Sequence, residues 1–193
     1  MRVRRVACFL LGFWLSGSLF MALVAAQNFR SPERVLLNLS PTAVMSTRDL
    51  PPAQMRGLLQ YQAAETNRWL YSIWDSVQIG LAALFFFFLL FGSQEGKISL
   101  ALSLAMLLLT LLEWLYLTPE ITALGRLTDF LPAAAPSPDR SKLWVMEGGY
   151  KLVEVLKWAA GTGLFASFLV VRLRDAGQDL NVVNKADHRH VNR

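Results

Sequence analysis

The chain has 193 residues, of which 54% are hydrophobic and only 17% are charged. Soluble domains carry about a quarter charged residues, so this composition excludes an ordinary soluble domain and favours a membrane protein. The net charge of +5 comes from basic residues spread over tails and loops, with no basic face interleaved with aromatic residues. Nucleic acid is therefore not expected as a partner.

Four stretches are long and apolar enough to cross a bilayer as helices, which takes about 20 residues each. None of them alternates apolar and polar residues in the manner of a membrane β-strand. We therefore predict an all-α fold, a polytopic bundle of four transmembrane helices. The predicted domain covers 1–175 with helices at about 6–26, 73–92, 98–118 and 143–171 and a long loop over 27–72, and a polar tail follows over 176–193.

The first stretch begins with Met1-Arg-Val-Arg-Arg5, which resembles the start of a secretory signal peptide. Its apolar run of about 21 residues exceeds the 7–15 residues of a signal-peptide core. Gly12 and Ser16 also have the spacing of small residues at helix–helix contacts in membranes. We expect this segment to be retained as the first transmembrane helix.

The long loop is expected to contain helices of its own. Ser31-Pro32-Glu33 is typical of a helix start, and the sequence after Pro52 lacks strong breakers apart from Gly57, so it can run directly into the second span. The third span is predicted to end at Thr118-Pro119, before an irregular proline-rich connection over 119–142. The connection over 93–97 is short and predicts a tight hairpin.

Basic residues weakly favour one orientation of the bundle. The termini and the short second connection carry nine Lys and Arg residues, against eight that are diluted over the two longer connections. Basic residues concentrate on the cytoplasmic side of membrane proteins. We predict a multi-pass membrane protein with both termini in the cytoplasm.

Polar residues within the predicted spans lie in one half of the membrane, on the side of the long loop. Charges near the bilayer core are costly, so they are usually paired, buried or functional. One interpretation is a polar cavity that binds a cation or small solute; the other is that the first helix-four charges lie in the membrane interface as helix-stabilising pairs. The candidate residues are Asp75, Gln78, Glu113, Glu147, Lys151, Glu154 and Lys157.

On the third and fourth helices, residues spaced three or four positions apart form a stripe along one face. The two stripes support a common location for the candidate residues. On the third helix, Ser99, Ser103, Met106, Thr110 and Glu113 share one face. On the fourth helix, Gly161 continues the charged stripe and permits a close approach of another backbone. We predict that the two stripes face each other or the bundle centre.

No motif predicts catalysis or a cofactor. Gly161-Thr-Gly-Leu-Phe-Ala166 has the spacing of part of a dinucleotide fingerprint, but it lies inside a predicted helix and follows no strand. His188 and His190 lie in the polar tail, so neither a helical metal site nor a nucleophile–base pair can be built within the spans. We predict no enzyme, no cofactor and no metal.

Three segments resemble a family of four-helix membrane proteins of unknown function that includes transmembrane protein 205 and many bacterial members. They are Phe13–Phe20 in the first helix, Leu117–Leu124 at the exit of the third and Glu147–Glu154 at the entry of the fourth. The family's fourth helix begins with His-Gly-x-Ser and has Asn seven residues on, whereas this chain has Glu at both positions. The resemblance implies a bacterial cytoplasmic-membrane protein and supplies no reaction.

The functional prediction is a non-enzymatic integral membrane protein that binds a partner or a lipid. Its expected partners are the lipid bilayer and either a second copy of the chain or another membrane protein. The alternative is a transporter of a small solute or an ion that uses the polar half-cavity. Four helices without an inverted repeat would require such a transporter to oligomerise.

Overall fold

The protein is described here from a computed structural model. The described backbone comprises residues 2–92, 96–131 and 137–191, and the described side chains are those of 5–91, 96–131 and 137–170. This part of the chain forms six α-helices and contains no strand. They are α1 (Arg2–Leu37), α2 (Pro41–Ser46), α3 (Pro52–Gly92), α4 (Lys97–Leu112), α5 (Thr118–Thr128) and α6 (Pro138–Val191), and a π-helical turn (Glu113–Leu117) joins α4 to α5.

Four long rods make up the bundle: α1, α3, the continuous unit of α4 and α5, and α6. Within the described residues these are the helices that are long and apolar enough to cross a membrane. The predicted all-α architecture of a polytopic four-helix bundle is confirmed. The architecture is that of a multi-pass membrane protein.

The bundle core is built from residues spaced three and four apart on each rod, the pattern that keeps one face of a helix against its neighbours. On α4 the buried residues are Ser99, Ser103, Met106 and Thr110, and Glu113 continues the series. This is the stripe predicted from the sequence. The apolar part of the core contains Leu11, Trp14, Phe85, Met106, Leu164 and Phe168.

The connection predicted as a long loop over 27–72 is mostly helical. α1 continues to Leu37 and α3 already begins at Pro52, so the stretch after Pro52 does run into the second span. Pro32 lies inside α1 and cannot donate a backbone hydrogen bond to the carbonyl of Asn28. The Ser31 hydroxyl donates to that carbonyl instead, at 2.8 Å, so the helix continues where the sequence predicted a new start.

The third span also continues beyond its predicted end at Thr118-Pro119. The Thr118 N–H bonds to the carbonyl of Glu113, five residues back. This wider turn gives the ring of Pro119 room against the preceding turn, with which it would clash in a regular α-helix. The rod therefore runs on as α5 to Thr128.

The remaining predicted connections and the tail are described only in part. Residues 93–95 of the hairpin connection and 132–136 of the proline-rich connection lie outside the described residues. The backbone of α6 is helical to Val191, so the helix extends through most of the predicted polar tail. The side chains of that tail lie outside the described residues.

Two glycines allow the rods to approach closely. A Cβ atom at Gly17 would lie 2.2 Å from the ring of Trp74, so α1 accepts this large side chain of α3 only because Gly17 has none. A Cβ atom at Gly161 would lie 3.1 Å from Leu15 and 3.5 Å from Met106. Side chains of α1 and α4, rather than another backbone, therefore pack directly against Gly161 where α6 meets these two helices.

Candidate functional site: a buried polar cluster beside an amphipathic cavity

Lys157 of α6 is the centre of a buried polar cluster. Its ammonium group donates to Gln78 Oε1 at 2.7 Å and to Glu154 Oε1 at 2.9 Å, and it also pairs with Glu113. Only 2% of the Lys157 side chain is exposed. Charged groups withdrawn from water are tolerated when they are paired and hydrogen-bonded, and this arrangement connects α3, α4 and α6.

A second branch of the cluster surrounds Asp75 of α3, which is fully buried. Its carboxyl group accepts hydrogen bonds from the hydroxyl of Thr118 and, at 3.3 Å, from that of Tyr150. Thr118 is the first residue of α5 and directly follows the π-helical turn that begins at Glu113. The turn thus presents polar groups to α6 through Glu113 and to α3 through Thr118, in keeping with the tendency of π-helical turns to occur at functional sites.

Five of the seven candidate residues lie together in this arrangement, and two do not. Glu147 and Lys151 are one turn apart on α6 and approach each other at 3.9 Å. The Lys151 side chain is 77% exposed. These two residues lie outside the buried cluster, which is formed by Asp75, Gln78, Glu113, Glu154 and Lys157.

Sequence reasoning missed three members of the cluster, a tryptophan, a threonine and a tyrosine. The Trp14 indole donates to Gln78 Oε1 at 2.8 Å, and Thr118 and Tyr150 bind Asp75. A signal for Trp14 was present in the sequence. Ala7, Leu11, Trp14 and Ser18 have the four-three-four spacing of a buried helix face, and all four are buried.

A cavity of about 1020 Å³ lies beside the cluster, in the half of the bundle nearest the connection between α1 and α3. This volume is at the upper end of the range of ligand pockets, roughly 300–1,000 Å³. Glu154, Tyr150 and Thr118 belong to both the cluster and the cavity wall. The buried cluster therefore lies directly behind one wall of the cavity and is not a separate site.

The cavity is partly open, and its exposed lining residues all lie on α1 and α6. The lining residues of α3 and α5 are buried or half-buried. The cavity consequently opens sideways, between α1 and α6. The exposed residues at this opening are Leu19, Ala22, Ala26, Phe29, Lys151 and Val155.

The two sides of the cavity differ in chemistry. The α1 wall is apolar apart from Ser18. The opposite wall, from α3, α5 and α6, contains all the charged lining residues and the tyrosines. An apolar wall facing a polar one suits a molecule with a hydrophobic body and a polar head. The charged lining residues are Arg68, Asp129, Glu147, Lys151 and Glu154.

A salt-bridge network on α3 and α5 lies at the end of the cavity nearest the α1–α3 connection. Arg68 donates to both carboxylate oxygens of Asp129, at 2.7 and 2.8 Å, and to Glu65 at 2.9 Å. A Cβ atom at Gly125 would lie 2.5 Å from the Arg68 guanidinium, so Gly125 makes room for this arrangement. Beside it, Asn67 accepts from Asn28 at 2.8 Å and ties α3 to α1.

The charged groups of the cavity wall are paired with one another. Arg68 binds Asp129, Lys151 approaches Glu147, and Glu154 accepts from Lys157. Among the described residues no group of three or more His, Cys, Asp or Glu side chains is placed to hold a metal ion. The cavity wall thus carries a fixed pattern of paired charges.

Fold and site together define a class: a four-helix, multi-pass membrane protein with an amphipathic cavity in one half of its bundle. No protein-family model matches the chain, and no curated protein or solved structure matches it either. The resemblance to the family of transmembrane protein 205 therefore stays a prediction.

Proposed function

We propose that this chain is a non-enzymatic integral membrane protein that binds an amphiphilic molecule in its cavity. One observation carries the proposal: a cavity of about 1020 Å³ that places an apolar wall opposite a polar one. Ligand pockets are mostly apolar, with a few polar groups that fix the orientation of the ligand. The pairing of the wall's charged groups supports this proposal, because it fixes a pattern of charge against which a polar head can be oriented.

The position of the opening supports a ligand that is dissolved in the membrane. The exposed apolar residues Leu19, Phe29 and Val155 line the entrance between α1 and α6. In a multi-pass protein such residues face the acyl chains. An amphiphile can enter from the bilayer with its apolar body against α1 and its polar head toward α6.

The test is to fill the cavity with larger side chains and to measure how much amphiphile remains bound. Ala22 and Ala26 line the cavity one turn apart and are exposed, so Ala22→Trp/Ala26→Trp should exclude a ligand without disturbing the core. Native mass spectrometry of protein released from lipid nanodiscs should show amphiphile bound to the wild type and at least tenfold less on the variant.

The matched control is Ala101→Trp/Ala166→Trp. Both alanines are exposed and lie outside the cavity, so these tryptophans should leave the bound fraction unchanged. Equal retention of amphiphile by both double variants would contradict the proposal.

The second candidate function is transport of a small solute or an ion, and the buried charged cluster favours it. Glu113 Oε1 is buried without a hydrogen-bond partner in the described part of the chain, and ionisable groups inside a membrane often mark ion or proton pathways. In proteoliposomes, Glu113→Gln and Glu154→Gln should each abolish a proton or solute flux while the protein still inserts. Unaltered fluxes in both variants would remove this candidate.

For location, we propose the bacterial cytoplasmic membrane with both termini in the cytoplasm. The compact groups of basic residues around the termini and the second connection support this orientation, and the resemblance to the family of transmembrane protein 205 supports the type of membrane. A second copy of the chain or another membrane protein is the proposed partner. Single cysteines at Ser93 and Ser137 in a Cys8→Ser background should be labelled from opposite sides, and labelling of both from one side would contradict the four-span topology.

A further inference from the structure

We propose that the cavity selects lipophilic organic cations, with the cationic group held by Glu154 and by the aromatic rings beside it. The inference rests on the proposed function, because it assigns the charge of the amphiphile that the cavity binds. Three features carry it: the charge balance of the wall, an unused carboxylate oxygen of Glu154 and the aromatic residues that line the cavity with Glu154.

The lining of the cavity has an excess of carboxylates. It contains three of them, Asp129, Glu147 and Glu154, against two cations, Arg68 and Lys151. The Arg68 guanidinium is committed to Asp129 and Glu65. Lys151 is largely exposed at the opening, beside Glu147. An anionic head would therefore find no unpaired cation within the cavity. A cationic head finds Glu154, which shares its one cation, Lys157, with Glu113.

Glu154 supplies the anchoring carboxylate. Both of its hydrogen bonds, from Lys157 at 2.9 Å and from Gln78 at 3.4 Å, go to Oε1. Oε2 accepts no hydrogen bond from a described residue, and the side chain remains 21% exposed on the cavity wall. One oxygen thus fixes the carboxylate in position, and the other is available to a ligand.

Aromatic residues flank this carboxylate. Trp158 lies one turn further along α6 on the same face and lines the cavity, as do Tyr71 and Tyr150. The two tyrosine rings meet edge to face with their centroids 5.6 Å apart. The faces of aromatic rings attract cations, and weakly hydrated organic cations are recognised by such rings together with a carboxylate.

The apolar wall accounts for the lipophilic part of the ligand. Met21, Ala22 and Phe29 of α1 face the polar wall across the cavity. Two of these positions, Ala22 and Phe29, are exposed at the opening, so the apolar part of a ligand can extend toward the bilayer. A small hydrated cation would leave this wall without a partner.

The experiment compares two probes of nearly equal size and shape and opposite charge, tetraphenylphosphonium and tetraphenylborate. Equilibrium binding of each probe to the full chain in nanodiscs is measured, and binding to protein-free nanodiscs is subtracted. The wild type should bind the phosphonium at least tenfold more tightly than the borate. Equal binding, or preference for the borate, would overturn the assigned charge while the proposed amphiphile-binding function stands.

Two carboxylate variants locate the site. Glu154→Gln should weaken phosphonium binding at least tenfold, because the amide keeps an acceptor for Lys157 but removes the negative charge. Glu120→Gln, at a half-buried position outside the cavity, should leave binding unchanged. Unchanged binding by Glu154→Gln would overturn the role of Glu154.

The experiments can contradict the proposed function and the assigned charge of the ligand independently. If neither probe binds the wild type and the tryptophan-filled cavity retains as much native amphiphile as the control, the cavity is not a binding site. If Glu154→Gln does not fold, as judged by its melting transition, the preference of the wild type between the two probes still decides the charge of the ligand.

Discussion

The two halves of the bundle are built on different principles. In one half, α1, α4 and α6 meet around Gly161, where a Cβ atom would already crowd Leu15, and the core is apolar. In the other half, α6 presents Tyr150, Glu154 and Trp158 and α1 presents small residues such as Ala22, and a cavity lies between them. The same two helices therefore pack closely at one end and enclose space at the other.

Side-chain size and polarity along α6 decide where α6 packs closely against α1 and where a cavity separates them. A glycine permits close contact, whereas large polar and aromatic residues occupy α6 where the cavity opens. Lys157 lies one turn before Gly161, at the boundary between the halves, and its bonds to Glu113 and Gln78 fix that boundary.

The largest effect is expected at the boundary. Lys157→Met removes the ammonium group and leaves the buried carboxyl of Glu113 without its partner. Breaking one side of a buried pair costs about 3–5 kcal/mol. Thermal unfolding in detergent should show a large drop in the melting temperature.

Lys151→Met is the matched control for this change, since Lys151 lies on the same helix but is largely exposed. Loss of its pair with Glu147 should cost only about 0.2–0.5 kcal/mol. Similar drops for the two variants would contradict the boundary role of Lys157.

An intermediate effect is expected in the closely packed half. Gly161→Leu would force a side chain against Leu15 and Met106, and overpacking of this kind costs about 1–3 kcal/mol. Gly163→Leu is the comparison, because nothing lies within 4 Å of a Cβ atom there. Gly163→Leu should stabilise the helix by about 0.5–1 kcal/mol, so denaturant titration should move the two variants in opposite directions.

The smallest effect is expected at the end of the cavity. Asp129→Asn weakens the two-point contact between Asp129 and Arg68, whose side chains are 12% and 13% exposed. The change should lower the free energy of unfolding by about 1–2 kcal/mol, between the values for surface and for buried pairs. Glu120→Gln breaks the more exposed pair with Lys142 and should cost at most about 1 kcal/mol. If both variants unfold at the same denaturant concentration, the Arg68 contact does not hold α3 to α5.

Spacing of residues along the chain was sufficient to predict the four-helix fold and the inward face of the third span. It also placed Glu113, Glu154 and Lys157 in one half of the bundle. It could not separate Glu147 and Lys151 from them, because residues on one stripe of a helix differ in burial only through the neighbouring helices.

Helix ends were harder to predict than helix faces. Pro32 and Pro119 both appeared to mark a break. In the structure the Ser31 hydroxyl compensates for the missing N–H of Pro32, and a wider turn accommodates Pro119. Both compensations depend on local geometry that residue propensities do not encode, so the rods are longer than predicted.

The π-helical turn also fixes the position of part of the cavity wall. Glu113, at the start of the turn, binds Lys157 of α6, and Thr118, which follows the turn, binds Asp75 of α3. α5 continues directly from the turn and carries Ile121, Thr122 and Gly125 of the cavity wall. The direction in which the rod leaves the turn therefore sets the width of the cavity.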